Sequence, residues 1–354
     1  MSTIWRLYGN TLTLSLARNL KYYPLALKQT MAPGAPFAFI TPTFHINLCT
    51  GIQKNFYSCD TWELLNLSPT EVADIPKRLF EEYCISPDAL AKHLEKFSIQ
   101  NIGKDQLDAD FNISKPPQYM ISVANNYSWP KASAITGIGR DNLVTIGVDN
   151  YARMDMGLLK KRLERNLNDR QAVYCVVMIA GMKFRITFPW RYTYMTTPGT
   201  TEHGAVDPLS EIFKIRKSME KQGMSFMIHV DAAWGGYFAI KAKNPWRSPK
   251  PESTHSIELN DWSYNQLRCL GQAEWATRPL PLPQYCAFLT SIDSSITLDP
   301  HKSGYVPYPA GGLCIRDERH RFLTTWTSPF INVNQENSIA MGIYGVEGRS
   351  VPDL

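Results

Sequence analysis

The chain has 354 residues, 44% of them apolar and 19% charged, with no low-complexity run. That is enough for one large α/β domain or two smaller ones, and it argues against disorder. The 37 basic and 32 acidic residues leave a net charge of +5, and the basic ones are scattered rather than striped, so nucleic-acid binding gains little support. The seven cysteines (Cys49, Cys59, Cys84, Cys175, Cys269, Cys286, Cys314) contain no CxxC pair. Such a set reads as reduced cytosolic thiols rather than a disulfide frame or a zinc site. No apolar run reaches the roughly 18 residues of a membrane span. The expectation is a cytoplasmic protein without a metal.

No acidic residue precedes Asp60, whereas Arg6, Arg18, Lys21 and Lys28 are basic. By composition this resembles a mitochondrial transit peptide, but residues 12–27 also place apolar side chains at mixed helical spacing, ending near Pro24. Ser68 followed by Pro69 and Glu71 is a helix start, with an N-cap, a proline at the first helical position and an acid three residues on; the helix should reach about Tyr83. Ser86 and Pro87 start another, to about Phe97. Residues 119–123 form a short strand, and residues 142–148 another, rich in β-branched side chains. Residues 155–167 make an amphipathic helix with Leu158, Leu159 and Leu163 inward and Lys160, Lys161, Arg162 and Arg165 in solvent. Residues 172–181 are a buried-type strand. A helix opens at Asp207–Pro208 and stops before Gly223, and a strand then runs to Asp231. This alternation predicts a mainly parallel sheet with helices on both faces. Residues 244–282 are polar and rich in Pro and Trp, so they read as a surface excursion. Residues 285–291 read as helix, and residues 295–298 and 311–316 as strands.

Two strand ends carry chemistry. The first is His229-Val230-Asp231-Ala232-Ala233-Trp234-Gly235-Gly236; the second is Leu298-Asp299-Pro300-His301-Lys302-Ser303-Gly304-Tyr305. In open α/β sheets ligands bind outside the carboxyl ends of the strands, so both side chains would stand at the mouth of the sheet. Taken alone, each is more often a strand end with a satisfied polar residue. Together, HVDAAWGGY and DPHKSGYVPYPAGG resemble the pyridoxal-phosphate-dependent group II amino-acid decarboxylases, in particular their tyrosine decarboxylase-like branch.

The resemblance covers most of residues 10–181 and 200–348. It implies a fold-type I pyridoxal-phosphate-dependent transferase large domain, a mainly parallel sheet flanked by helices, over residues 1–348. It further implies pyridoxal 5'-phosphate as cofactor, an L-amino-acid substrate, a homodimer with the site between subunits, and no nucleic acid or membrane partner. Lys302 corresponds to the Schiff-base lysine, in an apolar pocket that would keep its amine neutral. Asp231 corresponds to the partner of the pyridine nitrogen. Ala233 would pack on one ring face and residue 126 on the other, Thr201 would sit near the ring oxygen, and His301 would approach the phosphate or the substrate. Asp299 accompanies them, and Asn10 opens the helix that would receive the phosphate. Segments 303–309 and 324–330 suit the subunit interface, and Tyr344 is a candidate for the mobile loop.

Four departures from the family pattern stand out. Arg6-Leu7-Tyr8-Gly9 replaces the family's Gly-Gly-Thr loop, so the phosphate cradle is incomplete and the chain reads as beginning inside the cofactor domain. Asn126 replaces a histidine, and it can hydrogen bond but has no aromatic face and does not titrate near neutral pH. Residues 182–199, aromatic, basic and free of acid, interrupt the phrase that otherwise runs from VVMIAG into TTEHGAVDPL; they read as a retained intron, or else as a genuine loop insertion. Residues 349–354 form a divergent tail where a small C-terminal domain would follow. Two functions are therefore expected to compete: decarboxylation of an aromatic, tyrosine-like amino acid, with Lys302, Asp231 and His301 as catalytic residues, or an inactive paralogue or fragment that at most binds cofactor or a partner. Transamination or desulfuration is a weaker third.

Overall fold

The structure, a computed structural model, describes residues 2–180, 183–188, 191–196, 200, 203–236, 295–305, 307 and 310–324; for 2–8, 183–188, 191–196, 303 and 321 it describes the backbone alone. Its first element is helix α1 (Ser2–Thr30). The helix is not amphipathic in the usual sense. Leu14, Leu16, Leu20, Tyr22, Tyr23, Leu25 and Leu27 are all buried, and a helix apolar all round belongs inside a core. Packing on every side also carries the helix through Pro24, where the sequence suggested an end. The polar side chains of α1 find distant partners. Lys21 Nζ donates to Ser225 O at 2.6 Å, Asn19 Nδ2 to Leu323 O at 2.8 Å, and Tyr22 Oη to Asp108 Oδ1 at 2.6 Å. Burial pushes the Lys21 amine down to about 7, against the pull of Cys49, Cys175 and Glu220.

A small antiparallel ribbon follows, β1 (His45–Asn47) and β2 (Gln53–Asn55). Five helices come next: α2 (Thr61–Leu65), α3 (Pro69–Tyr83), α4 (Pro87–Leu94), α5 (Ile99–Ile102) and α6 (Lys104–Asp110). The caps at Ser68 and Ser86 act as expected, accepting from the backbone N–H groups of Glu71 and Ala89. Asp60, not singled out from sequence, forms a capping box with Glu63.

The remaining elements are β3 (Gln118–Ser122), α7 (Ser128–Ile135), β4 (Leu143–Ile146), α8 (Met156–Asn168), β5 (Val173–Ile179), β6 (Lys183–Phe188), β7 (Arg191–Thr196), α9 (Leu209–Glu220), β8 (Met227–Asp231), β9 (Ser295–Leu298), the short α10 (Pro300–Ser303) and β10 (Gly312–Ile315). Six strands form one sheet in the order β10-β9-β8-β5-β3-β4. All neighbours run parallel except β10, which pairs antiparallel with β9. Helices α1 and α7 contribute to a core on one face, around Trp129, Tyr174 and Val177; α8 and α9 contribute to a core on the other, around Leu159, Leu163, Ile212 and Met219. The expected α/β architecture is thus present. One side chain of α8 departs from the sequence reading: Leu158 is exposed, while Leu159, Leu163 and Asn166 face inward. Arg162, expected in solvent, is half-buried and donates to Gln118.

Strands β6 and β7 pair with each other, and the chain on either side of them is drawn together by Asp207. This buried carboxylate accepts from the backbone N–H of Ile179 at 2.8 Å and of Met154 at 2.7 Å, while the Asp207 N–H donates to Ile179 O. Burial raises its carboxyl to about 6, opposed by those two N–H donors. Asp207→Ala would leave two buried N–H groups without an acceptor, and it should lower unfolding stability by roughly 2–5 kcal/mol. Urea denaturation measures this; a loss below about 1 kcal/mol would contradict the tie.

Candidate active site

The carboxyl ends of the parallel strands β3, β5, β8 and β9 open on one edge of the sheet. The chain leaves β3 through α7 toward one face and leaves β5 toward α9 on the other. Such a reversal creates a crevice outside the strand ends. Asp231 is the last residue of β8, flanked by Ile179 of β5 and Thr297 of β9. Only 3% of its surface is exposed. A buried carboxylate requires donors, and it has one on each oxygen: Ala233 N–H to Oδ1 at 3.2 Å and Trp129 Nε1–H to Oδ2 at 3.0 Å.

The neighbouring strand end supplies an amine and a second carboxylate. Asp299 is buried, its N–H donates to Ala233 O at 3.3 Å, and its Oδ2 forms an ion pair with Lys302 Nζ. Asp299 Oδ1 is buried without a described hydrogen-bond partner. Lys302 Nζ also lies 5.3 Å from the centre of the Trp234 ring. Its surroundings are therefore an anion and an aromatic face, in place of the apolar pocket expected. The imidazole of His301 meets the backbone of Ala310, and its Nε2 lies 4.0 Å from Asp299 Oδ2. Gly236 allows this loop to close: a Cβ there would stand 2.0 Å from Leu298 Cδ2, so no larger residue fits without moving a core leucine.

Asn10, Ser128 and Asn126 form a buried chain. Asn10 Nδ2 donates to Ser128 Oγ at 2.9 Å, and Ser128 Oγ donates to Asn126 Oδ1 at 2.7 Å, which also accepts from Ser128 N–H. Asn126 thus acts as a turn residue that starts α7, and its carbonyl oxygen is committed. Asn10 sits well inside α1, because residues 6–9 are helical rather than a loop. The exposed N–H groups expected at Asn10 for an anion are accordingly spent within the helix. Thr201, 285–291, 244–282 and Tyr344 lie outside the described residues, as does most of the expected interface at 303–309 and 324–330.

Two residues at the site were not singled out from sequence. One is Trp129. The other is His229, two residues before Asp231 and so on the same face of β8. Its Nδ1 lies 2.8 Å from Ser295 Oγ and its Nε2 3.0 Å from Thr297 Oγ1, and its ring meets that of Trp129 at 5.4 Å and 63°. His229 stands within a quoted phrase, and alternation along the strand was the available signal for it.

No family model matches the chain. The L-tyrosine decarboxylase of Levilactobacillus brevis is 27% identical over 340 residues, which are 94% of this chain and 43% of that protein. By sequence, the chain is similar to L-tyrosine decarboxylases along almost all of its length. The L-tyrosine decarboxylase of Enterococcus faecium is likewise 27% identical over 345 residues, 94% of this chain and 44% of that one. The L-2,4-diaminobutyrate decarboxylase of Acinetobacter baumannii is 26% identical, covering 72% of this chain and 37% of its own. The chain therefore spans less than half the length of these curated relatives. A solved structure of mouse CSAD in apo form is 16% identical over 76% of this chain and 41% of its own, with a TM-score of 0.40.

Burial pushes the His229 imidazole from 6.5 down to about 4, against the pull of Asp231. Unfolded, it takes a proton as pH falls through 6.5; folded, it refuses one until about 4. The unfolded chain binds more protons in that window, so this residue's contribution, fully present above pH 6.5, is lost toward pH 4, by roughly 3 kcal/mol. His229→Gln, which can still bond both hydroxyls, should flatten the acid limb of the stability curve relative to the parent protein. Chemical denaturation at steps between pH 7 and pH 4 checks it, and parallel curves for the two proteins would refute it.

Proposed function

We propose that this chain carries the cofactor-binding large domain of a fold-type I pyridoxal-phosphate-dependent decarboxylase, which releases carbon dioxide from an L-amino acid, with a tyrosine-like aromatic side chain the leading candidate. The observation that carries this reading is the placement of Asp231 and Lys302 at the ends of neighbouring parallel strands, β8 and β9. Similarity to L-tyrosine decarboxylases along 94% of the chain supports the reaction class.

The ring end of the cofactor suits the residues present. Asp231, buried and held by two N–H donors, is fit to keep a proton on a ring nitrogen. Ala233 is small, buried and fixed beside it by the Asp299 N–H, so a flat ring could lie against it, with Asn126 assigned to the opposite face. Lys302 offers the amine, and Asp299 its counter-charge. The phosphate end is not matched at Asn10, for the helical reason given above. When bound, pyridoxal phosphate supplies an aldehyde that takes an amine and a cationic ring that withdraws electrons. The chain's part is to orient that ring through Asp231 and to hold the Lys302 amine at the strand end. The crevice walls would exclude water, and a proton would be held near the reacting carbon. His301 is assigned to the phosphate or substrate side and Thr201 to the ring oxygen. We assign residues 182–199 as an insertion into this domain, in keeping with a hairpin that pairs with itself. A cytoplasmic homodimer is the state we propose, and the free thiols Cys59 and Cys175 suit a reducing compartment.

A second reading, a module that binds cofactor or a partner without turnover, is favoured by the helical course of residues 6–9 and by Asn126 where the resemblance calls for a stacking histidine. One experiment separates the two. The purified chain is mixed with pyridoxal phosphate, its visible spectrum is taken, and borohydride is added before peptide mass analysis, beside Lys302→Ala. The first reading expects a visible band whose reduced adduct maps to Lys302 and is lost in the variant, together with carbon dioxide release from tyrosine. An adduct on Lys302 without release selects the second. An adduct spread over other lysines and unchanged in the variant removes the assignment of Lys302.

A further inference from the structure

We propose that Trp129 is a positioning residue for Asp231: its indole N–H, held between helix α7 and the ring of His229, fixes the carboxylate as an acceptor and thereby as the anion. This deepens the reading above and rests on it only for its use, since the anion is what would hold a ring nitrogen protonated. The statement about the carboxylate itself needs no cofactor.

An indole donates one hydrogen bond and accepts none. The oxygen it faces, Asp231 Oδ2 at 3.0 Å, must therefore accept there, and an ionised oxygen is a stronger acceptor than a protonated one, so a proton on the carboxyl would weaken that bond. The other oxygen accepts from Ala233 N–H. Two donors aimed at one carboxylate stabilise its charged form over its neutral one.

What keeps the indole in that orientation is equally specific. Trp129 is fully buried in α7. The start of α7 is pinned by Asn126, whose backbone carbonyl accepts from the Trp129 N–H at 3.1 Å and whose side chain accepts from Ser128. On the ring's other side lies His229, locked by two hydroxyls of β9, Ser295 Oγ and Thr297 Oγ1. An imidazole bonded at both nitrogens cannot swing to offer Asp231 a competing proton. Among the described residues, the titratable groups ranged about Asp231 are His229 from β8 and, beyond Ala233 and past the end of β9, Asp299 and Lys302, which engage each other. From β5, Ile179 supplies only backbone neighbours. The two strand ends and α7 together form a socket in which Trp129 is the one described side chain that donates to Asp231.

The test uses the whole chain without cofactor, labelled with 13C at aspartate carboxyls. The Asp231 resonance is identified by its loss in Asp231→Asn and followed through a pH titration. Trp129→Phe keeps most of the ring's bulk and removes the donor. It should raise the Asp231 midpoint by about one pH unit or more, with the secondary-structure circular dichroism unchanged. An unmoved midpoint in a folded variant overturns the proposal. Should Trp129→Phe fail to fold, the parent protein decides: among the nine tryptophan indole N–H resonances, one should move as Asp231 titrates and shift in Asp231→Asn. None moving overturns it. Failure here and failure of the cofactor reading are distinct. A shifted midpoint without a Lys302 adduct sinks only the cofactor reading; a Lys302 adduct with an unshifted midpoint sinks only the role of Trp129.

Discussion

A carboxylate buried at the end of a fully buried strand is an unstable arrangement unless neighbouring elements supply donors. Much of the local design answers that demand at Asp231. Strand β8 is covered on both faces and hydrogen-bonded on both edges, so the strand itself offers the carboxylate nothing. One donor comes from the backbone two residues on, which requires a turn at Ala233; the other comes from Trp129 across the crevice, which requires α7 to begin where Asn126 starts it. Gly236 leaves room beside that turn for Leu298, whose Cδ2 a side chain there would have to displace. Residues far apart in sequence are therefore fixed by the solvation needs of a single charge.

The parts of this fold that were legible in the sequence are those with a strong local signal. The strand ending at Leu298, the caps at Ser68 and Ser86 and the helix that begins beside Asp155 lie where turn chemistry and periodicity put them. Helix α7 was not legible. Its sequence, SWPKASAI, mixes a proline, two serines and a tryptophan, and its existence depends on packing against α1. Leu158 shows the limit of a helical wheel: three leucines suggested one apolar stripe, but the buried stripe runs through Leu159, Leu163 and the polar Asn166, because Asn166 reaches Gln118 of β3. At the site, Asp231 and Lys302 could be found from strand ends and quoted phrases. The Trp129 donor could not, since it depends on side-chain direction across the sheet rather than on spacing along the chain; the Asp299 counter-charge, by contrast, stands only three residues before Lys302.

Helix α1 and the hairpin β6–β7 illustrate opposite ways of joining a domain. The helix is engaged on all sides and ties both ends of the sheet: Gly9 approaches Thr297 near the carboxyl ends, while Lys21 bonds Ser225 at the amino end of β8. The hairpin forms its own two-stranded sheet, and its ladder is complete within itself. A segment of the second kind can be long or short without altering the register of β5 against β8, because Asp207 closes that point independently.

The engagement of α1 has a consequence for how the polypeptide is made. Asn19 and Lys21 reach partners 304 and 204 residues later in the chain. During synthesis the helix emerges long before those partners exist, apolar on every face and with its Lys21 amine in water rather than on Ser225 O. Contacts of such separation slow folding, and exposed apolar surface in the interval favours aggregation. Helix α1 is thus among the last elements to complete its contacts, and a ribosome-bound nascent chain would carry it as an open liability until the strands of the large sheet arrive.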